Sequence, residues 1–202
     1  MSPAEIVIAT RNPGKLAEIK GLLSHLPVRL LSLDSFADVP EVDEDRPTLE
    51  ENAVKKAAEV ARHTGRAAIA DDTGLEVNAL DGRPGVHSAR YAGPESDPIA
   101  NRALLLDELR DVADRRARFR TVVAFVTADE TLVFEGICEG SIGTSERGTG
   151  GFGYDPLFVP DGSDRTFAEL SLEEKNAVSH RGRALTELDT FLTTWLPGTL
   201  LD

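Results

Sequence analysis

The spacing of apolar and polar positions divides the chain into strands and helices that largely alternate. Ile6-Val7-Ile8-Ala9 is the β-branched apolar run a buried strand needs. Past a polar loop, Leu16, Ile19, Leu22 and Leu23 recur at helical spacing. Arg29-Leu30-Leu31-Ser32 is a weaker strand. Thr48 with Glu51 three residues later reads as a capping box. Ala53, Val54, Ala57, Ala58, Val60 and Ala61 give the helix behind it an apolar face that ends near Gly65. Ala67 to Ala70 is a further strand, and Thr73-Gly74 is expected to turn the chain before Leu75-Glu76-Val77 resumes the extended pattern. Pro98 to Leu109 is predicted helical. Phe119 to Ala128 and Leu132 to Ile142 are strand-like and are separated by a hairpin-sized gap, so they are predicted to pair antiparallel. Leu157-Phe158-Val159 is another strand. A second capping box, Ser171 to Glu174, opens a helical stretch that carries Lys175 to Gly182, then Leu185, Leu188, Leu192 and Trp195, as far as Pro197.

Composition narrows the classes. A chain of 202 residues is expected to form one domain with a substantial core. A net charge of −13 argues against non-specific attachment to nucleic acid or to an anionic membrane. No stretch approaches the roughly 20 apolar residues of a membrane span, and the opening residues lack the apolar run of a secretory signal. Cys138 is the only cysteine, so no intrachain disulfide forms and a reducing, cytoplasmic setting fits. The basic run Arg115, Arg116, Arg118, Arg120 has only Phe119 interleaved, a poor pattern for nucleic-acid binding.

Candidate chemistry clusters in a few places. Thr10-Arg11-Asn12-Pro13-Gly14-Lys15 links a strand to a helix. Free N–H groups at the helix start, its dipole and Lys15 would make an anion site, with Thr10 and Asn12 adding donors. It is not a Walker A loop, because the spacing is absent, and the same residues also make an ordinary βα turn. Asp71 and Asp72 end a strand as adjacent carboxylates. Their repulsion calls for a nearby positive charge, most economically a hard divalent cation; the alternative is a local Asp-Gly turn. Residues 34–51 hold eight acidic side chains and one arginine, mostly a solvated charge run. Asp43-Glu44-Asp45 within it lies just before a helix, where one carboxylate can reach a metal. Residues 148–153 contain a literal G-x-G-x-x-G, but Tyr154-Asp155-Pro156 and a strand follow instead of a helix, so the dinucleotide fingerprint fails its context. Phe152, Gly153 and Tyr154 suit close approach to a flat ligand, unless the two rings are core residues. Lys175, His180 and Arg181 gather cations in an otherwise acidic chain.

Taken in order from residue 6 to 182, six segments carry a family likeness: Ile8-Ala9-Thr10-Arg11-Asn12-Pro13-Gly14-Lys15, Glu51-Asn52-Ala53, Ile69-Ala70-Asp71-Asp72-Thr73-Gly74-Leu75, Pro84-Gly85-Val86-His87-Ser88-Ala89-Arg90-Tyr91, Gly150-Gly151-Phe152-Gly153-Tyr154-Asp155-Pro156 and Glu174-Lys175-Asn176-Ala177-Val178-Ser179-His180-Arg181-Gly182. The chain resembles the inosine/xanthosine triphosphate pyrophosphatase family. Those enzymes hydrolyse non-standard purine nucleoside triphosphates (ITP, dITP, XTP) to the monophosphate and pyrophosphate, cleansing the nucleotide pool. The resemblance implies an α/β fold with an elongated mixed central sheet flanked by helices. It also implies a single domain over residues 1–202 with two lobes and a cleft between them, a homodimer, and Mg²⁺ as cofactor.

The resemblance further implies site roles. Thr10, Arg11, Asn12, Pro13, Gly14 and Lys15 would hold the phosphates. Glu44, chosen over Asp43, and Asp72 would hold Mg²⁺. Asp72 would orient or deprotonate the water that attacks the α-phosphorus, with Lys15 as the second catalytic residue, so activity is expected to rise toward alkaline pH. Thr73, Phe152, Gly153, Tyr154, Asp155 and Lys175 would line the substrate, with Phe152 stacked on the base. Donors around His180 and Arg181 would favour a 6-oxo group over the 6-amino group of adenine. The competing readings are a related pyrophosphatase for other modified triphosphates and a nucleotide-sensing module that does not hydrolyse.

Overall fold

A computed structural model describes residues 3–199. Seven strands form one mixed sheet: β1 (Ala4–Ile8), β2 (Val28–Ser32), β3 (Ala67–Val77), β4 (Pro84–Gly85), β5 (Arg116–Val126), β6 (Thr131–Ile142) and β7 (Phe158–Pro160). Their order is β2-β1-β3-β5-β6-β7, with β4 paired to β3. β1 runs parallel to β2 and to β3, whereas β4 is antiparallel to β3 and β7 to β6. β5 and β6 are neighbours, as their hairpin spacing predicts, and Thr127 N–H donates to Glu130 O across the connection at 2.9 Å. Among the described residues five α-helices accompany the sheet: α1 (Pro13–Leu23), α2 (Leu49–Thr64), α3 (Pro98–Glu108), α4 (Leu172–Val178) and α5 (His180–Thr199). Among the described residues, no helix is long and apolar enough to cross a membrane.

The chain divides into two compact units. The first takes the chain up to Asp72, Val122–Gly136 and the chain from Arg181; the second takes Thr73–Thr121 and Ile137–His180. In the first, Ile6 and Ile8 of β1, Ile19 and Leu23 of α1, Ile69 of β3 and Phe125 of β5 pack with Ala184, Leu185, Leu188 and Leu192 of α5. The α5 residues recur at three- and four-residue intervals, one helical face. In the second, Leu75, Leu105, Phe119, Leu157, Phe158 and Phe167 are buried together, with the Phe119 and Phe158 rings 4.7 Å apart. Burying a side chain of this size contributes about 1.5–3 kcal/mol.

Two expectations need correction. Thr73-Gly74 does not turn the chain, because β3 continues without interruption from Ala67 to Val77. Gly74 instead admits a neighbouring backbone: a Cβ there would lie 2.8 Å from Gly85 O, on the strand that pairs at Leu75–Gly85. The predicted single helix from residue 171 is two. Ser171 opens α4 with a complete capping box, but Ser179 is extended (ψ 158°) and its N–H donates to Lys175 O, closing α4 before α5 begins. Thr48 caps α2 by accepting from Glu51 N–H, while Glu51 answers to the Thr48 hydroxyl. Gly65, left-handed at φ 64°, ends the helix.

Candidate active site

The register that sets Ile8 opposite Ile69 brings the carboxyl end of β1, the kind of place where parallel strands bind ligands, beside β3 just before Asp71 and Asp72. The helix-start loop follows β1 directly. It differs from expectation in one respect: the amides that open α1 are already capped. Asn12 Oδ1 accepts from Gly14 N–H (2.9 Å) and Lys15 N–H (3.2 Å), Asn12 N–H donates to Thr10 Oγ1, and Leu16 N–H donates to Asn12 O. Pro13 has no N–H to offer. The anion-binding capacity of this turn therefore rests on the Lys15 ammonium, the Asn12 side-chain amide and the dipole rather than on open backbone donors. Arg11 reaches away, donating to Val39 O at 2.8 Å.

Asp71 and Asp72 have different nearest partners. Neighbouring residues of a strand point to opposite faces, and each carboxylate meets a different helix. Asp71 turns to α1 and α5. Its Oδ2 lies 3.1 Å from Lys15 Nζ and accepts from Arg181 Nε and Nη2, both at 3.0 Å. The remaining edge of that guanidinium donates to Glu18, and Glu18, Asp71 and Arg181 are all at least 98% buried. Arg181 sits one turn before Ala184 and Leu185, so it continues the apolar face of α5 into the core. Burial opposes its charge, but Asp71 and Glu18 more than compensate and raise its pKa. Burial pushes the Asp71 carboxyl upward, yet Lys15, Arg181 and Lys56 hold it well below the usual range. Lys15 itself is lowered, because burial, Lys56 and Arg181 outweigh Asp71 and Asp72.

Asp72 turns to α2. Asn52 Nδ2 donates to its Oδ2 at 3.1 Å, and Lys56 Nζ lies 3.8 Å from its Oδ1. Lys56 also donates to Glu44 Oε1 (2.8 Å) and to Asp71 O (2.6 Å). Burial raises the Asp72 pKa, and Lys56 and Lys15 offset this only in part. For Glu44 burial is overcome by Lys56, which holds the carboxyl low. Lys56 is thus a small cation already placed between Glu44 and Asp72, and that pair fits a divalent ion that takes one or two carboxylates and keeps its waters. Three cations (Lys15, Lys56, Arg181) face four carboxylates (Glu18, Glu44, Asp71, Asp72), leaving one negative charge over. Among the described residues no group of three or more His, Cys, Asp or Glu gathers as a metal cage. Asp43 contributes only its backbone carbonyl, to Lys55.

Glu18, Asn52 and Lys56 were not singled out as site residues from sequence. Lys56 and Asn52 carried a signal: they lie on the same helix face as Ala53 and Ala57, polar groups on an apolar stripe.

The second unit holds the other predicted site residues. Asp155 Oδ2 accepts from Lys175 Nζ (2.6 Å) and from Phe152 N–H (2.8 Å), and the Lys175 ammonium lies 4.6 Å from the Phe152 ring centroid. Gly151, at φ 69°, leaves room for this carboxylate, since a Cβ would strike Asp155 Oδ2. The glycine loop is therefore a cradle for an ion pair and leads to β7, not to a dinucleotide helix. Tyr154 is a core residue rather than an open ligand surface: it is 5% exposed and its hydroxyl donates to Ser88 O at 2.9 Å. Thr73 Oγ1 is 2.6 Å from Thr121 Oγ1. His180 is buried with its ring stacked 4.5 Å from Phe119. His180 and Arg181, adjacent in sequence, thus belong to different units, and the Arg181 guanidinium is committed to Asp71 and Glu18 rather than presented as a donor to a base.

The Ham1 family model matches residues 6–191. A dITP/XTP pyrophosphatase of Geobacter sulfurreducens is 54% identical over 190 residues, 93% of this chain and 96% of that protein. One from Syntrophobacter fumaroxidans is 54% identical over 189 residues, 93% of this chain and 82% of that protein. Among solved structures, a HAM1 protein from Coxiella burnetii superposes with TM-score 0.86 at 42% identity, covering 95% of this chain and 99% of that one. The nucleoside-triphosphatase / dITP/XTP pyrophosphatase from Mycobacterium abscessus gives TM-score 0.74 at 50% identity, covering 91% and 98%. With a family model spanning most of its length and relatives this similar from end to end, the chain belongs to the Ham1 family.

Proposed function

We propose that this protein hydrolyses non-standard purine nucleoside triphosphates such as dITP, ITP and XTP to the nucleoside monophosphate and pyrophosphate. The substrate class follows its dITP/XTP pyrophosphatase relatives. The observation that carries the chemistry is the charge cluster beside the end of β1 and the middle of β3, where Lys56 reaches Glu44 and Asp72 and Lys15 pairs with Asp71. Lys15 and the Asn12 amide grip phosphate oxygens. Asp71, tied to Arg181, holds the Lys15 ammonium at that place. Asn52 orients Asp72, whose raised pKa makes it a better acceptor for the proton of the attacking water than an ordinary aspartate. Glu44 and Asp72 would hold Mg²⁺, which supplies Lewis acidity and neutralises charge on the polyphosphate.

Attack at the α-phosphorus breaks the α–β bridge, so pyrophosphate leaves whole. Product analysis with ITP and Mg²⁺, wild type beside Asp72→Asn, tests this. The wild type is expected to release pyrophosphate, and the variant to lose at least about 100-fold in rate, the scale of a general base. Orthophosphate as the first product would overturn the site of attack. We also infer a cytoplasmic homodimer, which light scattering on the purified protein and cell fractionation would check.

A further inference from the structure

One face of α2 holds the acidic loop in front of it residue by residue. Lys55 Nζ donates to Asp43 O and pairs with Asp45 Oδ1, both at 2.8 Å. Lys56 Nζ takes the Glu44 carboxylate at 2.8 Å. Asn52 accepts from Arg46 N–H at 3.0 Å and donates to Arg46 O at 3.3 Å. Positions 52, 55 and 56 are three and four apart, neighbours on a helix surface. Further back, Arg11 pins the loop by donating to Val39 O.

We propose that Lys55 is a positioning residue for Glu44: it grips the residues on either side and delivers the carboxylate to the divalent-cation position beside Asp72 before the cation arrives. This rests on the function proposed above. Lys56 cannot do this alone. It binds the ligating carboxylate itself and shares its ammonium with Asp72 and Asp71 O, so a cation between Glu44 and Asp72 weakens its hold. Lys55 touches neither ligand. Its partners are a backbone carbonyl and a neighbouring side chain, and its grip survives cation binding. Asp45 is 60% exposed, so the ion pair alone is weak. The side chain of Lys55 is only 19% exposed and its bond to Asp43 O anchors the backbone itself. A loop ordered in advance does not draw its ordering cost from the binding of the ion.

The test is Mn²⁺ binding to metal-free protein without nucleotide, read as free Mn²⁺ by electron paramagnetic resonance, for wild type, Lys55→Met and Lys55→Arg. The signs separate cleanly. Removing a positive charge near a cation site tightens cation binding on Coulomb grounds. Lost positioning weakens it. Lys55→Met is expected to raise the Mn²⁺ Kd about tenfold, the lower end for residues that support a ligand from behind, and to speed amide exchange at Arg46. Lys55→Arg, whose fork can reach both partners, is expected to stay within about twofold of wild type. An unchanged or tighter Kd in Lys55→Met overturns the proposal, as does a wild type that binds no Mn²⁺ without nucleotide. Pyrophosphate release from ITP by the wild type is scored separately. Its absence sinks the function proposed above, whereas its presence with an unmoved Kd in Lys55→Met sinks only the positioning role.

Discussion

Replacing Arg181 with methionine removes a guanidinium that is 1% exposed and leaves Asp71 and Glu18, equally deep, without their common partner. Breaking a buried ion pair from one side costs about 3–5 kcal/mol, because the remaining charge stays desolvated. Against a total stability on the order of 5–15 kcal/mol, that is a large fraction. With a urea slope of about 2–3 kcal/mol per molar for a chain of this size, the unfolding midpoint should fall by about 1–2 M. The pH dependence has a definite sign. Asp71 is held below its ordinary value, so its contribution is fully present above the unfolded carboxylate pKa of about 3.9 and is lost as pH falls toward the lower folded value. Arg181 stands behind Lys15 among the groups that hold it down, so the gap between wild type and variant should be widest at pH 7 and narrow in acid. Adding Glu18→Gln to the variant should recover part of the loss by removing one stranded charge. Urea melts followed by circular dichroism at pH 7 and pH 3 measure all three. A midpoint shift below about 0.3 M at pH 7 would refute the view that the triad is a desolvated charge network.

Two other outcomes follow from the same geometry. The profile of kcat/KM for ITP against pH should be bell-shaped and narrower than an ordinary aspartate–lysine pair gives, because burial raises Asp72 above 3.8 and lowers Lys15 below 10.5; no alkaline fall by pH 10.5 would remove Lys15 from substrate binding. Tyr154→Phe should cost about 1 kcal/mol of stability through the lost bond to Ser88 O while leaving the KM for ITP in place; a large KM change would make Tyr154 a ligand contact rather than a core residue.

Much of the site was legible before any fold was known, because local pattern encodes it. Ile6 to Ala9 followed by an Asn-Pro-Gly-Lys helix start marks the end of a parallel strand, and Asp71-Asp72 and Asp43-Glu44-Asp45 stand out as acidic places, within which the family resemblance alone selects Asp72 and Glu44. The ion-pair cradle was harder. The G-x-G-x-x-G string suggested close approach, and Gly151 lies close to the Asp155 carboxylate of its own loop. The capping of Gly14 and Lys15 by Asn12 follows from Asn at an N-cap, and it closes the amides that the bare strand–helix pattern leaves open.

Sequence alone determined most of the strands and helices, the caps at Thr48 and Ser171, and which residue types stand ready for phosphate and metal. These depend on periods of two and 3.6 and on caps a few residues long, so they are written within short windows. Only the tertiary structure decided that Asp71 serves Lys15 and Arg181 while Asp72 serves α2, that Glu18 and Arg181 meet across 163 positions, and that Lys56 stands between Glu44 and Asp72. Those pairings exist because strand alternation sends adjacent carboxylates to opposite faces and helix packing brings distant charges into a space that water has left. Which buried charge finds which partner is a property of the folded whole.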